Sequence, residues 1–73
     1  MVSVKVVYAS SGKPASGKRV CVSFSGLRGV TGNQITDSNG EAHFDAKPGH
    51  GKVIVNGTTK FEGKVEGRVP VYV

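Results

Sequence analysis

The sequence predicts an all-β protein, a small antiparallel β-sandwich of about seven strands. Three observations carry that expectation. Apolar residues recur at every second position in several short runs. The runs are separated by Gly, Pro, Asn and Asp at intervals of roughly 8–12 residues, the spacing of sandwich turns. No stretch shows the 3.6-residue apolar period of an amphipathic helix. A chain of 73 residues allows one domain, residues 1–73, and 11 glycines with no Trp suit a turn-rich β domain better than a helical bundle.

The first strand covers residues 2–8. Val2, Val4 and Val6 point one way and Ser3 and Lys5 the other. Residues 9–17, ASSGKPASG, form a loop of small residues in which Pro14 sets a turn. A second strand follows over 18–24, with Val20, Val22 and Phe24 on one face and Arg19, Cys21 and Ser23 on the other. Gly26, Gly29 and Gly32 then break the chain and leave Leu27–Thr31 as at most a short strand.

Residues 33–46 predict a hairpin around Asn39-Gly40. A two-residue type I′ turn there sets Ile35 opposite Phe44, Asp37 opposite Ala42, and Thr36 beside His43 on the outer face. A longer turn beginning at Asp37 is the alternative. Residues 47–51, KPGHG, read as a turn and Lys52–Val55 as a strand.

From Thr59 onward, Phe61, Val65, Val69, Val71 and Val73 hold odd positions, while Lys60, Glu62, Lys64, Glu66 and Arg68 hold even ones. This is the pattern of a half-solvated antiparallel sheet. One strand of that length would span roughly 50 Å, too long for this domain. The chain therefore turns at Glu66-Gly67-Arg68, which keeps Val65 and Val69 on one face. A three-residue loop at Asn56-Gly57-Thr58 likewise sets Val53 opposite Phe61, where a two-residue turn would mismatch the faces. The expected core is Val4, Val6, Val20, Val22, Phe24, Ile35, Phe44, Val53, Val55, Phe61, Val65, Val69 and Val71.

Two groups of residues bear a resemblance to a known family. One is Gly12-Lys13-Pro14-Ala15-Ser16-Gly17 between a Val-rich strand and Arg19–Phe24. The other is Thr36-Asp37-Ser38-Asn39-Gly40-Glu41-Ala42-His43-Phe44, with Val53-Ile54-Val55-Asn56-Gly57 beyond it. Together they resemble the carboxypeptidase regulatory-like, or transthyretin-like, β-sandwich modules. The resemblance implies an Ig-like or transthyretin-like fold and a role in folding, adhesion, or binding of protein or carbohydrate. Its residues are turn-formers: Pro14 fixes φ, Gly17 and Gly40 permit positive φ, and Asp37 can close an Asx-turn. Such scaffold residues carry no activity across.

Charge is uneven. The formal net charge is +5; residues 1–36 carry Lys5, Lys13, Lys18, Arg19 and Arg28 and no acid, while all five acids lie beyond. A positive field of this kind draws acidic partners or polyanions and also favours solubility. Lys13, Lys18, Arg19 and Arg28 are the candidate partner-binding residues, with Arg28 joining the others if the 25–32 loop folds to their end. Nucleic-acid binders of β type add exposed aromatics for base stacking. The three Phe are needed for the core, which leaves Tyr8 and Tyr72.

Catalytic and cofactor signals are weak. Gly12–Lys18 matches G-x-x-x-x-G-K, yet Arg19 replaces the Ser/Thr, Pro14 removes an N–H donor, and a β-rich run follows where a phosphate loop needs a helix. Cys21, His43 and Asp45 are the only nucleophile, base and orienter candidates, and alternation sends all three outward, away from any site that excludes water. Asp37-Ser38-Asn39-Gly40 places Gly at position four, not the sixth position of a calcium loop. The two His and one Cys do not give zinc spacing. No enzyme, cofactor or metal site is expected.

A lone Cys excludes an intramolecular disulfide and leans toward a reducing compartment. The opening residues alternate and lack the charged and apolar regions of a signal peptide, so the cytoplasm is the default expectation. No apolar run approaches the ~20 residues of a membrane span. Pro70 blunts the terminal strand as a pairing edge, so a monomer is expected. The function these features predict is a non-enzymatic interaction or structural module that binds a protein or carbohydrate through loops. The alternative is anion or nucleic-acid binding through the basic patch.

Overall fold

The computed structural model describes residues 1–73 apart from the side chain of Leu27. Eight short strands form in chain order: β1 (Val2–Val7), β2 (Arg19–Phe24), β3 (Gly29–Val30), β4 (Gln34–Ile35), β5 (Glu41–Phe44), β6 (Gly49–Val55), β7 (Thr58–Val65) and β8 (Arg68–Tyr72). A single 3-10 turn, Gly26–Arg28, is the helical element among them. One sheet has the order β5-β1-β8. The other has the order β3-β2-β6-β7, with β4 also pairing β2. The architecture is all-β with two sheets around one core, compatible with a small β-sandwich.

Alternation produces the core. β1 buries Val2, Val4 and Val6, β2 buries Val20, Val22 and Phe24, and β6 contributes Val53 and Val55. Val65, Val69 and Val71 complete it together with Phe44. Burying each of these side chains is worth up to about 1.5–3 kcal/mol. Val2, Ala15 and Ala42 also belong to the core, and Phe61 packs against it half-buried. The two alanines were not legible as core because a small side chain carries little periodic signal.

The hairpin expected over 33–46 does not form. β4 pairs antiparallel with β2, Arg19 opposite Ile35, whereas β5 pairs with β1, Val2 opposite Phe44 and Val4 opposite Ala42. The chain therefore passes from one sheet to the other between Ile35 and Glu41. Arg19 points outward, so its cross-strand neighbour Ile35 does too, at 59% exposure. Thr36 takes the buried position instead.

The longer turn at Asp37 is the one observed. Asp37 Oδ1 accepts from the Asn39 and Glu41 N–H groups at 2.9 and 3.0 Å. The Gly40 N–H donates to Asp37 O at 2.9 Å. Gly40 has φ +75°, and a Cβ there would lie 2.5 Å from the Val6 carbonyl oxygen.

Two further expectations change. The turn read at 47–51 is shorter, since β6 begins at Gly49. The last two strands do not form a hairpin: β7 pairs β6, and β8 runs parallel to β1 in the opposite sheet, Val4 beside Val69 and Val6 beside Val71. Val65 and Val69 nevertheless both reach the core, from different sheets. Val53 does face Phe61, though by a different device. Val55 pairs Thr58 across a two-residue Asn56-Gly57 turn (φ +50° and +84°), and a bulge between Val53 and Ile54 restores the face.

Candidate functional site

The loop between β1 and β2 folds as a tight projection. Val7 bridges Pro14, the Tyr8 N–H donates to Lys13 O at 2.9 Å, and the Gly12 N–H donates to Tyr8 O at 2.7 Å. This sets Lys13 across from Tyr8. The return limb is held by Thr36, whose Oγ1 accepts from the Lys18 N–H at 2.9 Å. The Lys18 ammonium then lies 5.4 Å from the centroid of the Tyr8 ring, within cation–π range. Arg19 begins β2 beside the β6–β7 turn, its N–H donating to Asn56 Oδ1 at 3.1 Å.

The structure thus brings Lys13 and Lys18 together around Tyr8, with Arg19 next along the chain. None of these three cations has a carboxylate within 4.0 Å among the described residues. Their positive charge is turned to solvent.

Arg28 stands apart. The 25–32 segment folds to the Phe24 end of β2, roughly 17 Å along the strand from Arg19. There the Arg28 guanidinium covers the Phe24 ring at 3.9 Å and donates to the Pro48 and Lys47 carbonyl oxygens. Those contacts make it a tie between loops.

The outer face of the β5-β1-β8 sheet holds a polar group that alternation along single strands did not reveal. Ser3 lies between His43 and Arg68, Lys5 between Glu41 and Pro70, and Val7 beside Tyr72. Ser3 Oγ bonds His43 Nδ1 at 2.8 Å. His43 Nε2 is 3.6 Å from Glu41 Oε1, and an Arg68 nitrogen is 3.3 Å from Glu41 Oε2. The Glu41 carboxylate is engaged on both oxygens, and its side chain is only 16% exposed. Tyr72 closes the row at 60% exposure. The signal missed in the sequence was the parallel pairing of β1 with β8, which joins residues from opposite ends of the chain.

Asp37 opens the turn that leads into β5. The Glu41 N–H holds its carboxyl below the ordinary value, with the Asn39 N–H, His43 and Lys5 adding to the effect and partial desolvation opposing it.

Cys21 and His43 occupy outer faces of different sheets, so the trio with Asp45 is not assembled. The Ser3–His43–Glu41 chain has the order of a nucleophile, base and orienter. It lies on an open sheet face with His43 half exposed, where water competes for every contact. It ties β1 to β5, and Arg68 on Glu41 brings in β8, as cross-strand polar pairs do. No pocket forms among the described residues, and no group of three or more His, Cys, Asp or Glu is placed to hold a metal ion there. Among the described residues no helix is long and apolar enough to cross a membrane. What the arrangement offers chemically is a surface of unpaired cations beside exposed tyrosines.

No protein-family model, curated protein or solved structure matches the chain.

Proposed function

We propose that this chain is a non-enzymatic binding module of the carboxypeptidase regulatory-like or transthyretin-like kind, and that its loop end receives an acidic partner. One observation carries the reading. Lys13 and Lys18 flank Tyr8, and neither is neutralised by a carboxylate. A projecting loop with two free ammonium groups attracts negative charge at long range and gives up little on contact, because no internal ion pair has to break. Such a surface suits an acidic chain, an acidic protein segment or acidic carbohydrate among them. Arg19 extends the patch, and Arg28 serves the fold at the opposite end.

Isothermal titration with polyglutamate and with a sulfated oligosaccharide at low ionic strength tests this reading. Binding is expected to weaken as salt rises and to fall at least about tenfold in a Lys13→Ala/Lys18→Ala double variant. An unchanged affinity in the folded double variant removes the loop end from the interface. A second reading, anion or nucleic-acid binding at the same patch, is favoured by the two exposed tyrosines close to it.

A further inference from the structure

Resting on the reading of the loop end as a binding surface, we infer that the acidic ligand is a single-stranded nucleic acid that runs from the loop onto the β1–β8 half of the outer sheet face. Its track is Lys18, Lys13 and Tyr8 on the loop, then Tyr72, Lys5 and Arg68 on the sheet.

The placement follows from strand pairing. Tyr8 follows Val7, Val7 lies beside Tyr72, and the Ala9 N–H donates to Val73 O at 3.0 Å. The two tyrosines of the chain therefore lie at the same end of the molecule although they are far apart in sequence. Tyr8 is 37% exposed and Tyr72 60%. From Tyr72 the face continues past Pro70 and Lys5 to Arg68, a run of roughly 13 Å that accommodates a few extended nucleotides.

Charge and shape agree along this track. It carries four cations, and Lys5, Lys13 and Lys18 have no carboxylate within 4.0 Å among the described residues. Two acids beside it are held within the fold. Arg68 and His43 take the two oxygens of Glu41, and the Asn39 and Glu41 amides take Asp37. Arg68 offsets the Glu41 charge, and the excess positive charge of the track rests on Lys5, Lys13 and Lys18. Glu66, next to the start of β8, pairs with Lys64 at 3.4 Å.

An open face with cations spaced between exposed rings is the arrangement that tracks a phosphate backbone while unpaired bases stack. A duplex hides its base faces, and a polycarboxylate has no base to stack. The tyrosines thus distinguish single strands from both.

The test is fluorescence anisotropy with a labelled oligothymidylate, a duplex of equal length and polyglutamate, at low and moderate salt. The oligothymidylate is expected to bind most tightly and to quench tyrosine emission. Tyr72→Ala should weaken it about 5- to 150-fold, while Tyr72→Phe, which keeps the ring, should stay close to the parent. Lys13→Ala/Lys18→Ala should reduce the salt slope by about 1.4. Circular dichroism establishes that each variant is folded. Equal binding of duplex or polyglutamate, or an unaffected Tyr72→Ala, overturns the single-strand assignment and leaves the acidic-partner reading standing. Failure of every polyanion at low salt overturns both.

Discussion

Thr36 donates its buried hydroxyl to the Ala15 carbonyl oxygen at 2.7 Å, and its own Oγ1 accepts the Lys18 N–H at 2.9 Å. One side chain thus fastens the start of the inter-sheet turn to the return limb of the basic loop at two points. Backbone bonds run alongside: the Gly17 N–H to Thr36 O and the Thr36 N–H to Lys18 O, both 2.9 Å. Thr36→Val keeps the shape and removes the hydroxyl. It leaves a buried carbonyl and an N–H without this partner, a loss of about 1–3 kcal/mol. Urea denaturation should show that loss, and polyglutamate affinity should fall with it because Lys18 is no longer held over Tyr8. Thr36→Ser should recover most of both. If Thr36→Val binds like the parent, the loop is positioned by its backbone alone.

The passage between sheets at Ile35–Gly40 sets a second expectation. Ile35 is 59% exposed and Val22 is fully buried. Ile35→Ser should change stability by no more than about 0.5 kcal/mol, whereas Val22→Ala should lose roughly 2 kcal/mol or more through lost transfer energy and a cavity. Equal losses in thermal or urea unfolding would return Ile35 to the core and contradict its pairing with Arg19.

Much of the fold was legible because alternation is a local property. Val4, Val6, Val20, Val22, Val53 and Val55 are buried as their parity requires. Partner choice is not local, and there the sequence misled. Ile35 and Phe44 would face each other across a two-residue Asn39-Gly40 turn, yet they belong to different sheets. The Asp37 carboxylate caps its turn with two amide bonds and sends the chain across instead of back. Lys13 and Lys18 were readable as a loop patch. Their union with Tyr8 comes from the hydrogen bonds of the loop, while the nearness of Tyr72 depends on a parallel pairing between the first and last strands that no short-range pattern encodes.

Gly40 shows how tightly that crossing is built. Its φ is +75°, and an added Cβ would meet the Val6 carbonyl oxygen at 2.5 Å, with Ala15 N and Pro14 Cβ at 3.1 Å. Gly57 has φ +84° and open space around it. Gly57→Ala should lose about 1–2 kcal/mol from the left-handed conformation alone. Gly40→Ala adds a backbone clash to the same strain, so its loss should exceed that of Gly57→Ala by about 1 kcal/mol or more. Urea midpoints of the two variants make the comparison, and equal midpoints would show that the contact at Val6 relaxes freely.

Asp37 predicts a pH dependence of defined sign. The fold holds its carboxyl below the ordinary value, so it favours the ionised form. That contribution is complete above the unfolded value, about pH 4, and disappears as pH falls through the lowered folded value. Asp37→Asn keeps an oxygen acceptor for the Asn39 and Glu41 amides and removes the titration. Its stability should therefore decline less steeply than the parent's below about pH 4. Parallel acid slopes for parent and variant would assign the acid sensitivity to other carboxylates.

Pro70 governs the free edge beside Tyr72. The Ser3 N–H donates to Gly67 O at 2.8 Å and the Val73 N–H to Val7 O at 2.9 Å. These bonds set the phase of the parallel ladder: Val69, Val71 and Val73 turn their backbones to β1, and Arg68, Pro70 and Tyr72 turn theirs to solvent. The N–H that proline lacks is therefore one that would have faced outward, at the middle of an otherwise unprotected edge. Pro70→Thr restores the donor with a residue suited to strands. Sedimentation velocity over a concentration series should show stronger self-association in the variant than in the parent. Identical sedimentation in a folded variant would mean that something other than the missing donor protects this edge.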